Sequence, residues 1–171
     1  MCYLISKFDL NFSNFFLNTT FNCGSKTIQN ELIHIIANKV SLTIINKIKS
    51  VGFYTILADE AKSHKEELIA ICVRYTEGLK IRESFLEFMN CSESRNAIGL
   101  YNKIKQSIAA HNLENIPIIA QSFDGASVMS GEYNGVQTLV QKDYPEAIYI
   151  HCMAHKLNLT LVNACKKKSY C

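Results

Sequence analysis

The chain has 171 residues, 48% of them hydrophobic, with only two prolines and seven glycines, a composition that suits one ordinary globular domain and excludes a collagen-like or disordered chain. The net charge of +3 is too small to argue nucleic-acid binding by itself. Its distribution is uneven, however: residues 1–58 carry five basic and two acidic side chains, residues 59–150 nine and thirteen, and residues 151–171 four and none.

An acidic centre between basic flanks fits a cation site beside phosphate-contacting surfaces. For the last segment alone, a solvated lysine tail at Lys166, Lys167 and Lys168 is the better explanation. Seven cysteines at irregular spacing point to free thiols in a reducing compartment, cytosol or nucleus. Residues 1–24 read as an irregular lead-in, in which Lys7, Asp9 and several asparagines interrupt the apolar core that a signal peptide or membrane span requires.

From Lys26 to Lys49, Ile28, Leu32, Ile35, Ile36, Val40, Ile44, Ile45 and Ile48 recur at three- and four-residue steps, which predicts an amphipathic helix with one apolar stripe. Gly52 follows. "FYTILAD" is a short aromatic and β-branched run, hence a strand, with Asp59 expected at its carboxyl end. "KSHKE" reads as a loop, and residues 67–76 and 79–89 as a hairpin turning at Glu77-Gly78. Its second arm alternates imperfectly and is expected at a sheet edge. Residues 94–112 have helical spacing, and "IPIIAQSFD" (116–124) is another apolar run ending on an acid, Asp124. A short helix around "GVQTLVQKD", a fifth strand "AIYIHC" and a last helix "HKLNLTLVNAC" complete the order.

That order predicts an α/β fold: a mixed five-stranded sheet with helices on both faces and an extra N-terminal helix. The helical connection before the fourth strand is long enough for a right-handed crossover, which sets that strand parallel to the first and beside it. Neighbouring strands lie about 4.8 Å apart, so Asp59 and Asp124 are expected together at the carboxyl rim of the sheet, where open α/β sheets bind ligands. Paired carboxylates repel unless a proton or cation lies between them, and Mg²⁺ or Mn²⁺ held by such a pair would serve phosphoryl transfer. Each aspartate is also, taken singly, a good turn or helix-capping residue.

"ILADEA", "QSFDGASVMSGEYNGVQ" and "HCMAHKLNL", in this order and strand context, resemble the ribonuclease H-like core of hAT-family transposases, and more closely the domesticated relatives among zinc finger MYM-type and THAP-type host proteins. The resemblance covers about residues 25–165, between the lead-in and a basic tail at 166–171. It implies that Asp59 and Asp124 are the first two acids of an Asp-Asp-Glu triad, and that Cys152 and His155 are the family's Cys-x-x-His pair at the site edge. It implies DNA as partner and a nuclear location, with a protein partner or homo-oligomer as further expectations.

The sequence also departs from that pattern. The family's third acid lies beyond a helical insertion that this chain does not reach, so the core is expected to be truncated and unable to transpose DNA alone. Glu132 and Glu146 occupy other positions. Lys62 stands where it would pair with Asp59 and weaken metal binding. Cys152 and His155 have the spacing of half a zinc site, but structural zinc takes four ligands, and His151 and Cys165 are weak additions; zinc is not expected. Gly125, Gly131 and Gly135 do not form a phosphate loop, no Gly-Lys-Ser/Thr following, and are expected to permit turns with positive φ. The alternative to a transposase remnant is an exapted protein-interaction scaffold.

Overall fold

The computed structural model describes residues 25–63, 66–93 and 95–167, together with 7, 10, 13 and 14. Most of the lead-in, His64 and Lys65 of the expected loop, and the end of the basic tail lie outside the described residues. The chain divides into two compact units, Met1–Thr43 and Ile44–Cys171, and the boundary falls within the first helix.

Helix α1, Lys26–Val51, opens on Ser25, whose Oγ accepts the N–H of Ile28 at 3.2 Å, the role of an N-capping hydroxyl. It closes on Gly52, with φ +83° and its N–H on the carbonyl of Ile48 at 2.9 Å; glycine reaches this left-handed stop without a Cβ penalty. Only part of the predicted stripe is buried. In the first unit Leu32, Ile35, Ile36 and Val40 are exposed, while in the second Ile44, Ile45 and Ile48 enter the core.

The second unit contains β1 (Tyr54–Ser63), β2 (Glu66–Glu77), β3 (Lys80–Asn90), α2 (Ala97–Ala110), β4 (Ile118–Phe123), α3 (Ser127–Ser130), α4 (Val136–Asp143), β5 (Ile148–His151) and α5 (Met153–Lys167). The strands form one sheet in the order β3-β2-β1-β4-β5. β1, β2 and β3 pair antiparallel, while β4 lies parallel to β1 and β5 parallel to β4. The mixed five-stranded α/β sheet flanked by helices is therefore as predicted, β3 stands at an edge, and β4 lies beside β1.

Two local expectations are corrected. β1 does not stop at Asp59 but continues to Ser63, because β2 goes on pairing with it through Ser63↔Glu66 after the parallel ladder with β4 has ended at Leu57↔Ser122. A one-turn helix, α3, occupies part of the stretch between β4 and α4 that reads as loop.

Side-chain alternation divides the sheet sharply. Tyr54, Ile56, Ile69, Ile71, Val73 and Phe123 point to one face and are buried with Leu100 and Ile104 of α2 and Val136 and Val140 of α4. Polar clips fasten the same face: Ser107 of α2 donates to Glu87 of β3 at 2.5 Å. Gln121, fully buried, donates through Nε2 to the carbonyls of Gln137 at 3.0 Å and Ala147 at 3.2 Å. The other face carries Leu57, Ala70 and Cys72, half-buried, and Phe85, Phe88, Ile148 and Ile150, exposed. Among the described residues the packed helices thus gather on one side of the sheet, which corrects the expectation of helices on both faces: α2 and α4 pack on the same buried side chains.

Candidate functional site

On this open face β1 and β4 bring their acids together. Leu57 pairs with Ser122, and Asp59 and Asp124 each stand two residues further along their parallel strands, hence level and on the same face. Both line a cavity of about 200 Å³ together with Leu57, Ala70, Cys72, Ser122 and Cys152. Glu83 of β3 reaches its far side.

The two carboxylates are held differently. Asp59 is exposed on a strand bonded at that point only to β2, through its pairing with Ala70. Asp124 follows the end of β4 and accepts the N–H of Ala126 on Oδ1 at 3.3 Å. That is the bond of an Asx turn, so of the two roles foreseen for this aspartate the turn is present and engages one of its two oxygens, while α3 has Ala126 at its N-cap and no side-chain cap. Tyr149 donates its hydroxyl to the Asp124 carbonyl at 3.3 Å and fixes the turn from β5.

Cys152 sits between β5 and α5, its N–H on the carbonyl of Phe123 at 2.9 Å and its own carbonyl accepting the N–H of Lys156 at 3.1 Å. It therefore joins the rim of the cavity to the first turn of α5. His155 is half-buried and faces His151 with ring centroids 6.2 Å apart. Among the described residues, no three His, Cys, Asp or Glu side chains converge as a metal-holding group. The Lys62 side chain lies outside the described residues.

The glycines after Asp124 are corrected. Gly125, Gly131 and Gly135 do not adopt positive φ, which among the described glycines belongs to Gly52 and Gly78. They are required by close approach instead: a Cβ on Gly125 would lie 2.5 Å from Nε2 of His151, and one on Gly135 would lie 2.4 Å from the backbone nitrogen of Gly131.

Glu132 lines a separate cavity with His151, Gln137 and Thr138, and Glu146 lines another with Pro117, Tyr144 and Pro145. Neither joins the aspartate pair. The sequence reading overlooked Cys72 and Glu83. Burial raises the Cys72 thiol above its ordinary pKa, with Glu83 and Asp59 adding to the effect, and Glu83 forms an ion pair with Arg74. Strand alternation places Cys72 on the acid face once β2 is registered on β1; Glu83 also needs the β2–β3 register, which shifts between Ile71 and Cys72.

A mixed sheet of this order, with an acid on its first strand level with an acid after its fourth, defines a ribonuclease-like domain. Residues 10–135 match the family described as ZMYM1/FAM200, RNase-like domain, and the chain belongs to that family. The match spans both aspartates and ends before Cys152 and His155.

Proposed function

We propose that this domain descends from the catalytic core of an hAT-type transposase and retains a divalent-cation site at Asp59 and Asp124. The observation that carries the reading is the meeting of the two carboxylates in one cavity beside the end of a parallel ladder. The donor set fits Mg²⁺ or Mn²⁺, hard ions that take one or two protein carboxylates and complete their shell with water and phosphate oxygens. Asp59 and the free oxygen of Asp124 would hold the ion, which when bound would polarise a phosphate oxygen of DNA.

The chain's own groups orient the pair. Tyr149 and the Ala126 N–H hold the Asp124 turn, and the pairing of Asp59 with Ala70 fixes its side of the cavity. Asp59 and Asp124 are the acids that meet, and Glu83 on the same cavity is held by Arg74; on this reading the domain binds rather than cleaves DNA, and its place of action is the nucleus. Cys152 and His155 support the rim of the site instead of holding zinc.

Titration of the folded protein with Mn²⁺, followed by the paramagnetic broadening of its amide resonances, tests the reading. Broadening centred on residues 57–60 and 122–126, lost in Asp59→Asn and in Asp124→Asn, is expected. Broadening spread over the acidic surface and insensitive to both substitutions would refute it.

The open face, where Phe85 and Phe88 lie exposed with ring centroids 4.7 Å apart, favours a second reading, a protein-interaction scaffold. DNA binding that weakens steeply with salt belongs to the first reading; capture of a protein partner with no DNA affinity belongs to the second.

A further inference from the structure

Within the second unit two apolar surfaces lack a partner among the described residues. One is the open sheet face, where Phe88 is 57% and Ile148 65% exposed. The other is α5. At helical spacing Met153, Leu157, Leu161 and Ala164 form one stripe, yet all four are exposed, Leu157 to 61%. A helix of 15 residues is at the length where isolated helices are only marginal in water, so the stripe requires a surface.

The sheet of the same chain is not that surface while the root of α5 is intact. A single residue, Cys152, separates β5 from α5, and its N–H and carbonyl are both engaged, to Phe123 and Lys156. These bonds fix the exit direction of the helix, and turning it back would break them.

We propose that α5 docks on the open sheet face of a second copy of this chain, the two copies exchanging helices about a two-fold axis. Charge selects this occupant. α5 carries Lys156, Lys166 and Lys167 and no acid, whereas the acids at the rim of the open face are Asp59 and Asp124, Glu83 being paired with Arg74. Lys156 flanks the apolar stripe, so a helix lying with Leu157 and Leu161 on the sheet brings an ammonium group toward the partner's carboxylates. The exchange is isologous, each copy giving a helix and receiving one, which doubles the area buried by a single docking event. A cation held by the aspartates would compete with Lys156 for the same carboxylates, so the charge contribution belongs to the cation-free protein, in which the test is made.

Sedimentation equilibrium of the full chain over a range of concentrations tests the proposal, together with carbodiimide cross-linking of an equal mixture of ¹⁵N-labelled and unlabelled protein. A monomer–dimer equilibrium is expected, with mixed-isotope cross-links joining Lys156 to Asp59 or Asp124. The double variant Leu157→Asp/Leu161→Asp should weaken the dimer at least about tenfold. Lys156→Glu, which keeps the stripe intact, should weaken it less and mainly at low salt. Thermal unfolding of the sheet unit is the control for folding in both variants. A chain that sediments as a monomer throughout, cross-links confined to peptides of one isotope, or a dimer indifferent to the leucine pair would each overturn the proposal.

Discussion

Gly125 and His151 show how closely the surroundings of the acid pair are built. The His151 ring occupies the space a side chain on Gly125 would need, so Gly125→Ala is expected to cost about 1–3 kcal/mol, the range for over-packing. Denaturant unfolding should show most of that cost relieved in a His151→Ala background. Gly135→Ala should find no such relief, because its obstacle is the Gly131 backbone. The sequence reading saw special residues here but assigned the wrong reason: a glycine needed for φ and a glycine needed for space look alike until its neighbour is known. Asp59 and Asp124 were legible because each follows an apolar run, whereas the part played by Gly125 depends on a histidine 26 positions later, which no local pattern reports.

Asp143 offers a pH-dependent test at the same scale. Hydrogen bonds from Lys105 at 2.7 Å and from Tyr101 at 2.6 Å lower its pKa, Lys105 first. Because the folded carboxyl titrates below the unfolded one, its contribution is full above the unfolded value of about 4 and disappears as the pH falls through the folded value. The stability difference between wild type and Asp143→Asn should therefore shrink on acidification below about pH 4. Tyr101→Phe, which removes the more buried donor, should cost about 1–2 kcal/mol at neutral pH, measured by urea unfolding.

Among the elements, β4 depends most on a polar clip. Gln121 is fully buried and its two Nε2 bonds tie the strand to α4 and to the segment before β5. Gln121→Leu fills the space but leaves the Gln137 and Ala147 carbonyls without their donor, and a loss of about 2–4 kcal/mol is expected by urea unfolding. The order of the second unit's elements was readable because period and punctuation agree: apolar runs too short for helices, bounded by Gly52, Gly78 and Pro117. The length of β1 was not readable, since its extension past Asp59 depends on the pairing from Glu60↔Ile69 to Ser63↔Glu66, and "EAKS" has no strand signal of its own. The α1 stripe was a sound guide to helix and a poor guide to burial, because periodicity reports which positions share a face and not what meets that face.

For the sheet unit as a whole, the covered and open faces are expected to respond differently to substitution. Ile71→Ala, beneath α2, should cost about 2–5 kcal/mol. Phe88→Thr, which replaces an aromatic strand former by a β-branched one on the open face, should stay within about 1 kcal/mol. Equal losses, measured in dilute protein by chemical unfolding, would contradict the division of the sheet into a packed and an open side. The mixed topology was legible because a long helical crossover forces β4 parallel to β1; the asymmetry of cover was not, since it depends on where each helix comes to rest.

β1 changes neighbours halfway along its length. Up to Leu57 it is a central strand; beyond that it is the edge of the antiparallel β3-β2-β1 part of the sheet, and Asp59 rides on that edge while Asp124 follows the end of β4. Amide hydrogens on the side of β1 that β4 has left should exchange with solvent far sooner than those before Leu57. Whatever spans the two acids would act as a cross-brace between the end of β4 and a strand that has lost one neighbour, and slower exchange from Ala58 to Ser63 would be its first signature.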